Sequence, residues 1–127
     1  MPKQEKSKIC YNLPMKLNTI LKDQIIQQLT PLNPMQIVLF GSYAYGEPTE
    51  NSDIDLYVVT DDEFIPQNWG EKNQIYLKVA KALESIVRAH PTDLIVHTKA
   101  MHREFIALNS SFSREITTKG IKLYESA

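Results

Sequence analysis

The sequence is short of cysteine. Cys10 stands alone among 127 residues, so no disulfide can form within the chain, and a free thiol fits a reducing compartment. Long hydrophobic runs are missing too. The apolar run Ile37–Phe40 is far short of the roughly 18 residues of a membrane-spanning helix. The first residues, Met1-Pro2-Lys3-Gln4-Glu5-Lys6, contain no apolar core of a secretory signal. Neither sign of charge dominates: 14 basic residues meet 15 acidic ones, for a net charge of −1. No basic excess drives nucleic-acid binding through counterion release, so direct nucleic-acid binding is not expected. Internal repeats and low-complexity tracts are absent. These absences predict a cytoplasmic chain with no membrane partner.

The composition that remains is that of a folded domain. Hydrophobic residues make up 43% and charged residues 23%, which excludes disorder and coiled coil for the chain as a whole. A mass of 14.6 kDa suits one domain that folds without covalent staples. Residues 1–13 read as a flexible polar tail bearing Lys3, Lys6 and Lys8, and residues 14–127 as a single domain.

Hydrophobic spacing predicts the elements. Leu17, Ile20, Leu21, Ile25 and Leu29 share one helical face, and Pro31 and Pro34 end that helix. Met35–Phe40 reads as a buried strand broken by Gly41, with a helical turn over Ser42 to Tyr45. Asp53–Thr60 is a second strand, with Ile54, Leu56 and Val58 on one side and Asp53, Asp55 and Tyr57 on the other. Asn68 and Glu71 fit a capping box ahead of a helix striped by Ile75, Val79, Leu83 and Ile86. Asp93–His97 is a third strand. Met101, Phe105 and Leu108 mark a further helix, and Phe112 and Ile116 another, with Gly120 at its C′ position. Ile121–Leu123 alternates as an edge strand. The order predicts an α/β fold with a small mixed β-sheet covered by helices. The first two strands are joined too closely for a helical crossover and should be antiparallel neighbours.

The chemistry concentrates between those two strands. Gly41-Ser42 is followed, after ten residues, by Asp53-Ile54-Asp55. Strand residues two apart share a face and lie about 6–7 Å apart. Two carboxylates so placed can converge on a pair of metal ions about 3.5–4 Å apart. Magnesium suits carboxylate oxygens combined with substrate phosphates. The missing Cβ of Gly41 lets a phosphate approach the backbone, and Ser42 adds a hydroxyl. Taken singly, an Asp-x-Asp is usually a solvated strand face and a Gly-Ser usually a turn. Together they crowd like charges, and a cation is the simplest offset. A third acid, able to assist loss of a proton from an acceptor, is supplied by Asp93 at the start of the next strand; alone it would read as a turn residue. His90 and His97 lack a surrounding ligand cluster and read as structural or loop-exposed, and Trp69 as packed near the start of the long helix.

Gly41-Ser42-Tyr43-Ala44-Tyr45-Gly46-Glu47-Pro48 followed by Ser52-Asp53-Ile54-Asp55-Leu56 resembles the signature of the polymerase-β-like nucleotidyltransferase superfamily. It is most similar to the small minimal nucleotidyltransferases that serve as antitoxins. The resemblance runs from about Leu17 to Tyr124. It implies that Asp53, Asp55 and Asp93 ligate magnesium in a two-metal site, and that Gly41 and Ser42 hold the phosphates of ATP. It also implies a partner, a HEPN-domain ribonuclease toxin whose tyrosine receives AMP and which is thereby silenced. Relatives commonly carry Arg where this chain has Tyr45. Two other functions stay open at this point. One is neutralisation of a toxin by binding alone, through Phe105, Leu108 and Phe112. The other is transfer to a small molecule, for which the chain has little room.

Overall fold

The computed structural model describes residues 18–49 and 51–126. The expected tail 1–13 and the helix start at Leu17 lie outside the described residues. Helix α1 spans Thr19–Leu29, and the Asn18 side chain caps it by accepting the Leu21 N–H at 2.8 Å. Leu21, Ile25 and Leu29, four apart, are its buried stripe. Ile20 falls off that stripe and is 69% exposed. A 3₁₀ turn at Thr30–Leu32, with Pro31 inside it, closes the helix.

Strand β1 follows at Gln36–Phe40, then the four-residue helix α2 at Ser42–Tyr45 and strand β2 at Ile54–Val59. Helices α3 (Trp69–Ala82) and α4 (Glu84–Ala89) lead to β3 (Thr92–His97). Helices α5 (Lys99–Leu108) and α6 (Ser111–Lys119) precede the last strand, β4 (Ile121–Glu125). The sheet order is β3-β2-β1-β4. β1 runs antiparallel to β2 and β4, while β2 and β3 are parallel. The sheet is therefore mixed, with α3 and α4 as the crossover that a parallel pair requires.

One helical stripe, expected from Ile75 to Ile86, is two helices. Leu83 leaves the helical region (φ −97°, ψ 11°) and is fully buried. The bend lets Leu83 and Ile86 both reach the same core as Ile75 and Val79. The capping box is also altered. Asn68 accepts the Glu71 N–H at 2.9 Å, but the Glu71 carboxylate accepts from the N–H of Gln67 rather than of Asn68.

The sheet is covered on both sides. Ile37, Leu39, Ile54, Leu56, Val58 and Val96 pack under α1, α3 and α4. Val38, Phe40, Tyr57 and Val59 form a second core with Ile116 of α6, flanked by Phe105 of α5. Tyr57 is fully buried there. Its ring stacks on Phe105 at 5.2 Å, and its hydroxyl lies 3.0 Å from His97 Nδ1 and 2.7 Å from His102 Nδ1. His97 is thus not a loop residue: it closes β3 beneath α5. Burial first, then the charges of His102 and Lys72, push its imidazole down to about 4.

Gly120 has an ordinary φ of −62° rather than the left-handed conformation expected of a C′ glycine. It is needed for closeness instead. A Cβ there would overlap the Ile116 carbonyl oxygen and a methyl of Val38, so the turn from α6 into β4 sits directly on β1. Gly120→Ala should therefore destabilise the chain by about 1–3 kcal/mol, read as a lower urea midpoint. An unchanged midpoint would show that α6 does not sit this tightly on the sheet.

Candidate active site

The second face of the sheet is roofed by α5 and α6 over Tyr57 and Val59, yet its acidic end is open. Asp55 sits on that face at the start of β2. In the parallel β2–β3 ladder its register partner is Asp93, and in the antiparallel β1–β2 ladder it is Phe40. Residues far apart in sequence thus become side-by-side neighbours, with Gly41 immediately beyond Phe40. Asp53 lies just before β2, and both Asp53 and Asp93 are exposed, while Asp55 is half-buried.

Gly41 takes the left-handed φ of +73°. A Cβ at this position would collide with the Asp55 carboxylate. Only glycine satisfies both the backbone angle and the close approach. From Gly41 the chain turns at once into α2, whose Ala44 and Tyr45 N–H groups bond the Gly41 carbonyl at 3.0 and 3.1 Å. Ser42 opens α2 and Ala44 anchors it in the core. The structure thus brings Gly41, Asp55 and Asp93 together, with Asp53 and Ser42 on the flanking turns.

The electrostatics reflect this crowding. Burial, followed by the charges of Asp93 and Asp53, pushes the Asp55 carboxyl up from 3.8 to about 6. Among the described residues, no three His, Cys, Asp or Glu side chains already form a metal-ligating cluster. The donor set nevertheless fits a hard divalent cation. The carboxylate oxygens are magnesium's preferred ligands, and an added cation would relieve the repulsion felt by Asp55.

Tyr45 does not offer its hydroxyl to the turn. It donates to the Glu115 carboxylate on α6, and Lys119 lies 5.8 Å from the centre of its ring. This grouping left no local mark in the sequence, because Tyr45 and Glu115 are 70 residues apart. Only the four-residue spacing of Glu115 and Lys119 along one helical face hinted that they act together.

Away from the acids, a cavity of about 420 Å³ lies at the opposite end of β3, between the 65–69 segment and α5. His97 and Phe105 line it. Trp69, expected to pack at the helix start, is 77% exposed at its rim because it precedes the buried stripe of α3. Of the three apolar residues expected on the surface of the last helices, Leu108 is 77% exposed and Phe112 partly so. Phe105 instead turns inward onto Tyr57 and Phe112.

A glycine is pressed on one carboxylate, a second acid lies in register beside it, and a third lies just upstream, so the end of the sheet carries an open acidic cluster. The family described as "Polymerase beta, Nucleotidyltransferase" matches residues 16–127, and the chain belongs to it. A protein of Methanocaldococcus jannaschii, provisionally named a protein adenylyltransferase, is 41% identical over 70 residues, which span 55% of this chain and 63% of that protein. The crystal structure of a toxin-antitoxin with AMP-PNP is similar at 25% identity and a TM-score of 0.50, covering 83% of this chain and 73% of that one. A mutant of the toxin-antitoxin MntA-HpeT is similar at 20% identity and a TM-score of 0.48, covering 87% and 75%.

Asp55 provides a direct test of the crowding. It holds its proton more tightly in the folded chain, at about 6, than at the ordinary 3.8. Its contribution to stability is thus full below about pH 4 and is lost as the pH rises through 6. Asp55→Asn cannot ionise. In metal-free buffer it should melt higher than the wild type at about pH 8 and show a flatter melting profile between about pH 4 and 6. Identical profiles would mean that Asp55 is not crowded.

Proposed function

We propose that the chain is a magnesium-dependent nucleotidyltransferase that moves AMP from ATP onto a tyrosine of a HEPN-domain toxin, and so acts as that toxin's antitoxin in the cytoplasm. The observation that carries this reading is the in-register pair Asp55 and Asp93 beside Gly41, within a chain of the nucleotidyltransferase family. The adenylyltransferase name of one relative and the AMP-PNP complex of the toxin-antitoxin neighbour support ATP as donor and a toxin as partner. Among the described residues no helix is long and apolar enough to cross a membrane.

The roles follow from position. The space left by the missing Cβ of Gly41 is taken by the Asp55 carboxylate, so Gly41 and Ser42 hold the β- and γ-phosphates through donors of the turn, the Ser42 hydroxyl among them. Asp53 and Asp55 hold magnesium, with Asp93 as the third ligand. When bound, the metal supplies charge neutralisation for the triphosphate and lowers the pKa of the acceptor hydroxyl. Asp93, exposed at the start of β3, faces the incoming acceptor and assists removal of its proton. The acceptor oxygen forms its bond to the α-phosphorus, the bond to the bridging oxygen breaks, and pyrophosphate leaves with that electron pair. The chain's contribution is chiefly positioning and electrostatic complementarity.

Intact-mass spectrometry of the partner toxin, incubated with this chain, ATP and magnesium, tests the proposal. The toxin should gain AMP, and Asp53→Asn, Asp55→Asn and Asp93→Asn should each abolish the gain, as should chelation of the metal. A toxin silenced at unchanged mass would overturn catalysis in favour of neutralisation by binding alone.

A further inference from the structure

The proposed reaction brings a triphosphate to a site already crowded by three carboxylates, so a fixed cation beside the phosphate turn would matter. Most cations of the described residues are engaged elsewhere. Lys78 pairs with Asp62, Arg88 with Glu84, Lys99 with Asp61, Arg103 with Glu63 and Lys122 with Glu125. The Arg114 guanidinium donates to the Asn109 carbonyl. Lys119 makes no ion pair among the described residues and lies over the ring of Tyr45.

Three contacts fix that placement. The Tyr45 N–H bonds the Gly41 carbonyl at 3.1 Å, so the ring springs from the phosphate turn itself. The Tyr45 hydroxyl is tied to Glu115, which holds the ring against α6. Lys119 lies one helical turn beyond Glu115, and its ammonium is drawn to the face of the ring. The helix is itself seated on the sheet, through Ile116 in the second core and Gly120 against Val38. An ammonium on a flexible four-carbon stem is thus delivered from the far end of the chain to the flank of the turn.

We propose that Lys119 is a phosphate-binding residue: its ammonium swings from the Tyr45 ring onto the terminal phosphates of the nucleoside triphosphate held at Gly41-Ser42. Tyr45 is then a positioning residue, a perch that keeps the cation close without pairing it. This rests on the nucleotidyltransferase reading above.

Calorimetric titration of the full chain with magnesium ATP and with AMP, at low and high salt, tests it. Lys119→Gln should weaken ATP binding roughly tenfold, in line with one lost charge-assisted contact, and leave AMP binding unchanged. Lys119→Arg should restore ATP binding, and the loss should shrink at high salt. Equal ATP affinity for Lys119→Gln and wild type, or equal weakening toward ATP and AMP, would overturn the assignment. Absence of ATP binding by the wild type would overturn the underlying reading and this one with it. Thermal melts of both variants should match the wild type, because Lys119 is exposed.

Discussion

The site depends on how closely the Asp55 carboxylate approaches the bare backbone of Gly41. That approach needs a residue without a Cβ, in a left-handed conformation, immediately after β1. It also needs β2 to run antiparallel beside β1, so that Asp55 arrives opposite Phe40. Once these are met, Asp55 has little room to move and is partly withdrawn from water. Its neighbours Asp53 and Asp93 then raise the cost of ionising it. The resulting acidic end is a place the fold leaves poorly compensated, which suits the cation and triphosphate of the proposed function.

The remainder of the second face shows the opposite treatment. Its central positions are buried as thoroughly as those beneath α1 and α3, and Tyr57 is fully enclosed. Its hydroxyl finds two imidazoles, so a large polar side chain is accommodated without an unsatisfied group. The roof of α5 and α6 thus leaves the acids open while sealing what lies next to them. Openness at Asp55 is a local property of the strand ends, not a sign that the whole face is solvated.

Much of this was legible in the sequence. The alternation through β2 set Asp55 apart from Ile54 and Leu56, although Asp53, expected as the first residue of that strand, lies just before it, and the short link after Gly41 implied the antiparallel pair. Asp93 was legible as a strand-opening acid, though its register with Asp55 was not, because no local pattern encodes which residue of a parallel neighbour lies alongside. The same reason explains other differences. His97 was legible as the last residue of a strand, structural or exposed, but its burial against Tyr57 was not, because that partner is 40 positions away. Trp69 looked like a packing residue, but it opens α3 well ahead of the buried stripe, which begins at Ile75. Gly120 looked like a conformational cap, whereas the close passage of β1 determines it. Local chemistry was readable; contacts closed by the folded sheet were not.

The parallel pairing of β2 and β3 has a consequence for how this chain can vary. Asp55 and Asp93 meet through a hydrogen-bonded ladder and not through the segment that joins their strands. The exposed loop ahead of α3 and the surface residues of α3 and α4 can therefore change without moving one acid relative to the other, provided the buried stripe from Ile75 to Ile86 is kept. A single-residue insertion inside either strand is a different matter. It would turn one carboxylate to the opposite side of the sheet, into an apolar core. Variation in this chain should accordingly be permissive in the surface loop of the crossover and nearly forbidden over a few consecutive positions of two strands, where length is held constant as well as the two aspartates.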